Sequence, residues 1–213
     1  MAQPLSVSNK EIWQITYPII FGNLAQTLIV LVNTIFLGHV GKVELGAAMM
    51  AGLYYLVFTT ILQGFTIGIQ ILVARRLGEG ELKRIGPIFE HGLFFSLFLG
   101  AVMLALMHFG TRGILGGIVH SPNIYTAALQ FIDFRQWGIL FVSMNFMFRS
   151  LYIGLSNTKI ITYTTVAMAV VNIFFDYSLI FGHFGFPEMG VAGAGLSSVI
   201  AEATACIVFF LHT

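Results

Sequence analysis

The sequence predicts an all-α, polytopic membrane protein. Of its 213 residues, 57% are hydrophobic and only 9% are charged, and the mean hydropathy is +0.90. A soluble domain carries about a quarter charged residues, so this chain has too few to cover a surface that faces water. Its apolar stretches are continuous rather than alternating, which is typical of membrane-spanning helices and not of the strands of a β-barrel.

The apolar stretches divide the chain into six predicted helices. Each is long enough to supply the roughly 20 residues that cross about 30 Å of hydrocarbon. We place them near residues 12–40, 46–74, 90–110, 124–155, 160–182 and 190–213, so that residues 1–213 form one six-helix bundle. The first stretch is much longer than the roughly 7–15 apolar residues of a signal peptide, so we interpret it as a retained helix.

Two of these helices contain features that are unusual in a membrane span. Pro18 lies near the start of the first helix, where it either bends the helix or occupies an early turn. The fourth helix contains Asp133, Arg135 and Arg149. Asp133 and Arg135 could neutralise one another, although a spacing of two residues points them apart on a helix. Arg149 lies near the inner end of the helix, from which a long side chain can reach lipid phosphates.

The distribution of positive charge predicts the orientation in the membrane. With the N-terminus inside, the inner segments hold seven basic residues and the outer loops two: Lys10, Arg75, Arg76, Lys83, Arg84, Arg149 and Lys159 against Lys42 and Arg112. Lysine and arginine favour the cytoplasmic side. We therefore expect a multi-pass protein of the cytoplasmic (inner) membrane of the cell, with both termini in the cytoplasm.

Composition and spacing also argue against several function classes. A net charge of +1 without basic clusters among stacking aromatic residues gives no sign of a nucleic-acid partner. The six histidines are scattered without metal-ligand spacing, and the single cysteine, Cys206, cannot form an internal disulfide. Residues 78–80 read Gly-Glu-Gly, but no strand precedes them, so they are not a phosphate-binding loop. We expect neither an enzyme nor a bound cofactor.

Polar residues inside the predicted helices are candidates for a functional site, since burying them in a membrane is costly. Asn172 and Asp176 are four residues apart and project from one helix face. A carboxylate and an amide oxygen can bind sodium, or a proton with a hydrogen-bond partner; the alternative is that they only join helices. Asn33 has the same two interpretations. Glu202 is a second carboxylate that could contribute, or it could lie near the inner membrane boundary.

Five segments resemble the multidrug and toxic compound extrusion (MATE) family. Residues 172–182 follow the pattern N-x-x-x-D-x-x-x-I-F-G, and residues 190–194 follow G-V-x-G-A. Residues 32–41 are similar to V-D-T-x-F-x-G-x-x-G, with Asn33 in place of the aspartate. Residues 71–80 and 149–159 are similar to the segments that close the second helix and precede the fifth. The segments occur in the family's order across essentially the whole chain.

The resemblance implies the first of two six-helix lobes in a twelve-helix transporter, with the C-terminal lobe absent from this chain. It implies export of drugs or other cationic or amphipathic compounds by antiport with sodium or protons. The coupling site it implies comprises Asn33, Asn172, Asp176 and Ser198, with sodium at Asn172 and Asp176. Expected partners are a small-molecule substrate, membrane lipid, and the missing lobe or a second copy of this chain.

Asn33 is the departure that bears most on function, because it leaves Asp176 as the one carboxylate of the implied site. Two close carboxylates can share a proton, whereas one carboxylate with amide and hydroxyl oxygens can still neutralise sodium. Two alternatives stay open. One is a lipid or polysaccharide flippase of the same superfamily, whose chamber should be ringed by arginines. The other is a truncated membrane remnant that does not transport.

Overall fold

The computed structural model describes residues 9–213, apart from the side chains of residues 10–12, 14 and 15. This part of the chain contains seven α-helices and no strand. Residues 1–8 lie outside the described part of the chain, and so does the side chain of Lys10, one of the seven basic residues on which the predicted orientation rests. A 3-10 helix, Leu82–Arg84, precedes the third helix. In chain order the helices are α1 (Asn9–Val40), α2 (Lys42–Gly78), α3 (Ile85–Ile118), α4 (Pro122–Arg135), α5 (Gly138–Gly154), α6 (Lys159–Phe181) and α7 (Val191–His212).

The helices have the length and surface of membrane spans. Among the described residues, α1, α2, α3 (with the 3-10 helix before it), α6 and α7 are long and apolar enough to cross a membrane, and α5 is a shorter apolar helix. Large apolar side chains such as Phe94, Phe109 and Leu211 lie largely exposed on the outside of the bundle. Such a surface is compatible with lipid and not with water. The predicted all-α membrane bundle is confirmed.

The fourth predicted helix, near residues 124–155, is wrong as a single helix. α4 ends at Arg135 and α5 begins at Gly138. Gln136 and Trp137 keep right-handed helical angles, but the Trp137 N–H donates to the carbonyl three residues back instead of four, at 3.3 Å. The turn therefore tightens at these two residues, which separate α4 from α5.

The ends of the other helices differ modestly from the prediction. α3 extends past the predicted 90–110 at both ends, because helix formation depends on backbone hydrogen bonds and does not stop where the hydrocarbon ends. Pro18 lies inside α1. The Pro18 carbonyl accepts a hydrogen bond from the Thr162 hydroxyl at 2.9 Å, and this contact joins α1 to α6.

Helix α7 packs against three other helices, α6, α4 and α5, and so contributes to the interior of the bundle. Two glycines permit these close approaches. A side-chain carbon at Gly193 would lie 2.7 Å from the Leu179 carbonyl oxygen of α6, and one at Gly195 would lie 2.6 Å from the Phe131 carbonyl oxygen of α4. Small residues at helix crossings let backbones approach in this way. Side chains from both α6 and α4 therefore reach α7.

Candidate functional site

A polar centre built around Asp176 lies where α1, α6 and α7 meet. The i,i+4 spacing places Asn172 and Asp176 on one face of α6, as predicted, and both side chains are buried, at 1% and 0% exposure. One carboxylate oxygen of Asp176, Oδ1, accepts a hydrogen bond from the Ser197 hydroxyl of α7. A carboxylate removed from solvent in this way needs charged or hydrogen-bonding partners to remain buried.

Asn33 of α1 provides further hydrogen bonds to this centre. In the amide orientation that satisfies its neighbours, its nitrogen faces three oxygens: Oδ2 of Asp176, Oδ1 of Asn172 at 3.1 Å, and the Ile29 carbonyl at 3.2 Å. The structure thus brings Asn33, Asn172 and Asp176 into direct contact. Asn33 directs N–H groups, rather than an oxygen, at the carboxylate.

The hydroxyl that contacts Asp176 belongs to Ser197, which the sequence analysis did not select. Ser198 lines the adjacent cavity, but its hydroxyl donates to the Ala194 carbonyl of its own helix at 3.0 Å. Adjacent residues on a helix point about 100° apart, so only one of the two serines can face Asp176. No local sequence signal distinguishes them, because the choice depends on how α7 is rotated against α6.

The polar centre faces a cavity of about 560 Å³ between α1, α2, α4, α6 and α7. Most of the lining is apolar, and polar side chains are few: Gln26, Asn33, Thr34, Tyr55, Arg135, Asn172, Ser198 and Glu202. The buried amide nitrogen of Asn172, Nδ2, has no hydrogen-bond partner among the described residues. Such a group is costly to bury, and a ligand or an amide rotation would relieve it.

The donor set at Asp176 suits a hard cation such as sodium. A carboxylate, amide oxygens from Asn172 and Asn33, and the Ser197 hydroxyl are oxygen ligands of the kind such ions prefer. Asn33 would have to turn its amide to present oxygen. Neither here nor elsewhere in the described part of the chain do three His, Cys, Asp or Glu residues cluster as metal ligands.

A second polar cluster lies on the wall of the same cavity and corrects our interpretation of the fourth helix. Arg135 pairs with Glu202 of α7 through two hydrogen bonds, of 2.8 and 2.6 Å, and not with Asp133, which is exposed. The Glu202 side chain, which is 12% exposed, therefore joins α7 to α4 on the wall of the cavity. Arg149 is partly buried and has no ion pair within the described residues.

Comparison with known proteins identifies the family. The MatE family model matches residues 18–178, which is most of the chain. The chain belongs to the MATE family. Relatives named "Probable multidrug resistance protein NorM" are 28% identical over 87% of the chain in Agrobacterium fabrum, 30% over 85% in Rhizobium meliloti and 27% over 94% in Bacillus subtilis. The chain spans 39–44% of the length of these relatives.

Solved MATE structures have the same fold as this chain. One, described as an outward-facing multidrug resistance MATE transporter of the MOP superfamily, superimposes with a TM-score of 0.87 at 20% identity, over 95% of this chain and 44% of its own. A MOP superfamily transporter from Pyrococcus furiosus gives the same values. The chain thus corresponds to the N-terminal lobe of a MATE protein, a membrane transporter and not an enzyme. Members of the MATE family generally couple transport to sodium or protons.

Proposed function

We propose that this chain is the N-terminal half of a secondary-active exporter that moves drugs or other amphipathic or cationic compounds by antiport with sodium or protons. The observation that carries the proposal is the buried Asp176 carboxylate, which lies among the amides of Asn33 and Asn172 and the Ser197 hydroxyl beside a cavity. A negative charge in a membrane helix is costly, and a coupling cation would neutralise it.

Sodium is the coupling ion that this donor set favours. The Asn33 amide nitrogen faces the Asp176 carboxylate and takes the place of a cation. When sodium binds, Asn33 turns its amide so that oxygen replaces nitrogen at the ion, and Asn172 contributes its amide oxygen. A proton is the second candidate, because it would neutralise Asp176 without any change in the amides.

The cavity supports an amphipathic substrate, since its lining is mostly apolar with a few polar groups. We propose that both termini face the cytoplasm of the inner membrane, as the loop charges predict. The chain spans about two fifths of its relatives, so transport requires a second lobe or a second copy of this chain to complete the pathway. In either case the two lobes would be parallel repeats related by an axis along the membrane normal.

The two alternative functions have less support. A flippase for anionic lipid or polysaccharide would need unpaired arginines in its chamber, whereas Arg135, the arginine on the wall of this cavity, is paired with Glu202. In a non-transporting remnant, Asp176 would serve only to join helices, and a carboxylate is a costly residue for that role in a membrane.

Sodium-dependent thermal stability of the purified chain tests the coupling site. A ligand at ten times its dissociation constant stabilises the folded state by about 1.4 kcal/mol. We expect sodium, but not potassium at equal ionic strength, to raise the melting temperature, and Asp176→Asn to remove the increase. Asp133→Asn is the matched control, because Asp133 is exposed on α4. An equal sodium effect in the Asp176→Asn variant would contradict the proposed site.

A further inference from the structure

The Arg135–Glu202 pair has the geometry of an occupied cation site. The guanidinium makes two parallel hydrogen bonds to the carboxylate, from Nη2 to Oε1 at 2.6 Å and from Nη1 to Oε2 at 2.8 Å. The Arg135 and Glu202 side chains are 14% and 12% exposed, and both line the cavity. The pair therefore lies on the cavity wall and is not sealed between helices.

Tyr55 of α2 completes this site from the other side. The Arg135 guanidinium carbon lies 4.0 Å from the centroid of the Tyr55 ring, so the cation is stacked on an aromatic face as well as paired with a carboxylate. Tyr55 is 6% exposed, it also lines the cavity, and its hydroxyl has no hydrogen-bond partner among the described residues. A carboxylate and an aromatic face together recognise a delocalised organic cation.

Hydrogen bonds between α5 and α7 hold the backbone of Glu202 in place. The Asn145 amide donates to the Glu202 carbonyl at 3.0 Å, and the Cys206 thiol donates to the Asn145 amide oxygen at 3.2 Å, so α5 and α7 are joined next to the carboxylate. A side-chain carbon at Gly138 would collide with both the Glu202 carboxylate and the Arg135 guanidinium, so the start of α5 borders the ion pair closely. Arg135 enters the site on a long side chain with several rotatable bonds.

We propose that Glu202 and Tyr55 form a subsite for the cationic group of the substrate, and that Arg135 occupies this subsite as an internal competitor when no substrate is bound. The inference rests on the proposed function, in which the cavity receives amphipathic or cationic compounds. A substrate that reaches the cavity displaces the guanidinium and takes over the carboxylate and the aromatic face. The apparent affinity for substrate is then the intrinsic affinity multiplied by the fraction of time in which Arg135 leaves the site open.

Binding of tetraphenylphosphonium, an organic cation that lacks hydrogen-bond donors, tests the proposal on the purified full chain in sodium-free potassium buffer. If Arg135 fills the subsite about nine tenths of the time, Arg135→Gln should bind the probe about tenfold more tightly than the unaltered chain. Adding Glu202→Gln to Arg135→Gln should abolish the gain. Adding Tyr55→Leu instead should weaken binding about fivefold, as expected for loss of a partly desolvated cation–π contact.

A charge control and the choice of buffer separate this subsite from general electrostatics and from the coupling site. In the Arg135→Gln background, Asp133→Asn should leave the gain unchanged, because Asp133 is exposed on α4. The buffer contains no sodium, so a failure of sodium coupling would not alter this result. If Asp133→Asn abolishes the gain, or if the gain survives Glu202→Gln, the probe binds elsewhere and the proposal is overturned. No gain in Arg135→Gln also overturns it.

Arg135→Lys provides a second test in case Arg135→Gln does not fold, since removing one partner of a buried ion pair can be strongly destabilising. Lysine keeps the charge but cannot make the bidentate contact and stacks less well on an aromatic ring. It is therefore a weaker competitor, and we expect a smaller but measurable gain in probe affinity. If only this variant folds, the absence of a gain overturns the proposal.

Discussion

The assignment of Ser197, and not Ser198, as the hydroxyl partner of Asp176 makes a sharp prediction. Ser197→Ala removes the hydrogen bond from the Ser197 hydroxyl to the buried carboxylate. Ser198→Ala removes only a bond to a carbonyl of its own helix, which does not involve the site. The two changes delete the same atom from adjacent residues, and both hydroxyls lie 3.0 Å from the Ala194 carbonyl oxygen, so the matched pair differs in the contact with Asp176.

The expected magnitudes follow from these contacts. A hydrogen bond to a charged group contributes roughly 1.5–3 kcal/mol, and here its loss also leaves a carboxylate with one fewer donor in a site that is 0% exposed. Ser197→Ala should therefore lower the unfolding free energy by about that amount, which changes the unfolding equilibrium roughly ten- to a hundredfold. Substitutions that remove no such contact usually change the unfolding free energy by no more than about 0.5 kcal/mol, and we expect Ser198→Ala to lie in that range.

Reversible denaturation of both variants in the same detergent, followed by circular dichroism, provides the measurement. The site should also respond to sodium: Ser197→Ala should need a higher sodium concentration for half-maximal stabilisation, whereas Ser198→Ala should match the unaltered chain. A loss of stability in Ser198→Ala that equals or exceeds the loss in Ser197→Ala would refute the placement of Ser197 at Asp176.

Three further predictions concern the coupling site, the packing of α7 and the activity of the chain alone. Asn33→Asp adds a carboxylate next to Asp176; because two close carboxylates can share a proton, sodium binding should weaken as the pH falls, and a pH-independent sodium titration would contradict this. Gly195→Ala should lower the free energy of unfolding by about 1–3 kcal/mol, and with it the melting temperature, because its new carbon would lie 2.6 Å from the Phe131 carbonyl oxygen. Gly52→Ala should have little effect, because its new carbon would have no atom within 4 Å. Expressed alone, the chain should fold as a lobe without exporting drugs; resistance conferred on sensitive cells and lost again with Asp176→Asn would show that two copies form the transporter.

The local pattern of the sequence accounts for the pairing of Asn172 with Asp176. Side chains four residues apart lie on one face of any helix, so this pair follows from spacing once the segment is known to be helical. The contact with Asn33 is different in kind. It joins α1 to α6 across 139 residues of sequence, and the expectation that they meet came from the family resemblance and not from periodicity.

The ion pair of Arg135 illustrates where sequence reasoning failed. Asp133 was the nearest acidic residue along the chain, but it projects from a different side of α4 and lies exposed. The actual partner, Glu202, is 67 positions away and becomes a neighbour only because α7 packs against α4. Coulomb attraction depends on distance in space, and helix packing, not sequence separation, decides that distance.

The sequence by itself determined that this chain is a bundle of membrane helices, because hydrocarbon requires long uncharged segments and satisfied backbone hydrogen bonds, and both requirements are local. It also placed Asn172 and Asp176 on one face. Only the tertiary structure decided that Ser197 contacts the carboxylate and that Glu202 meets Arg135. Both outcomes depend on the rotation of α7 about its axis, which is set by close packing against α6, α4 and α5 and leaves no periodic trace in the sequence of α7.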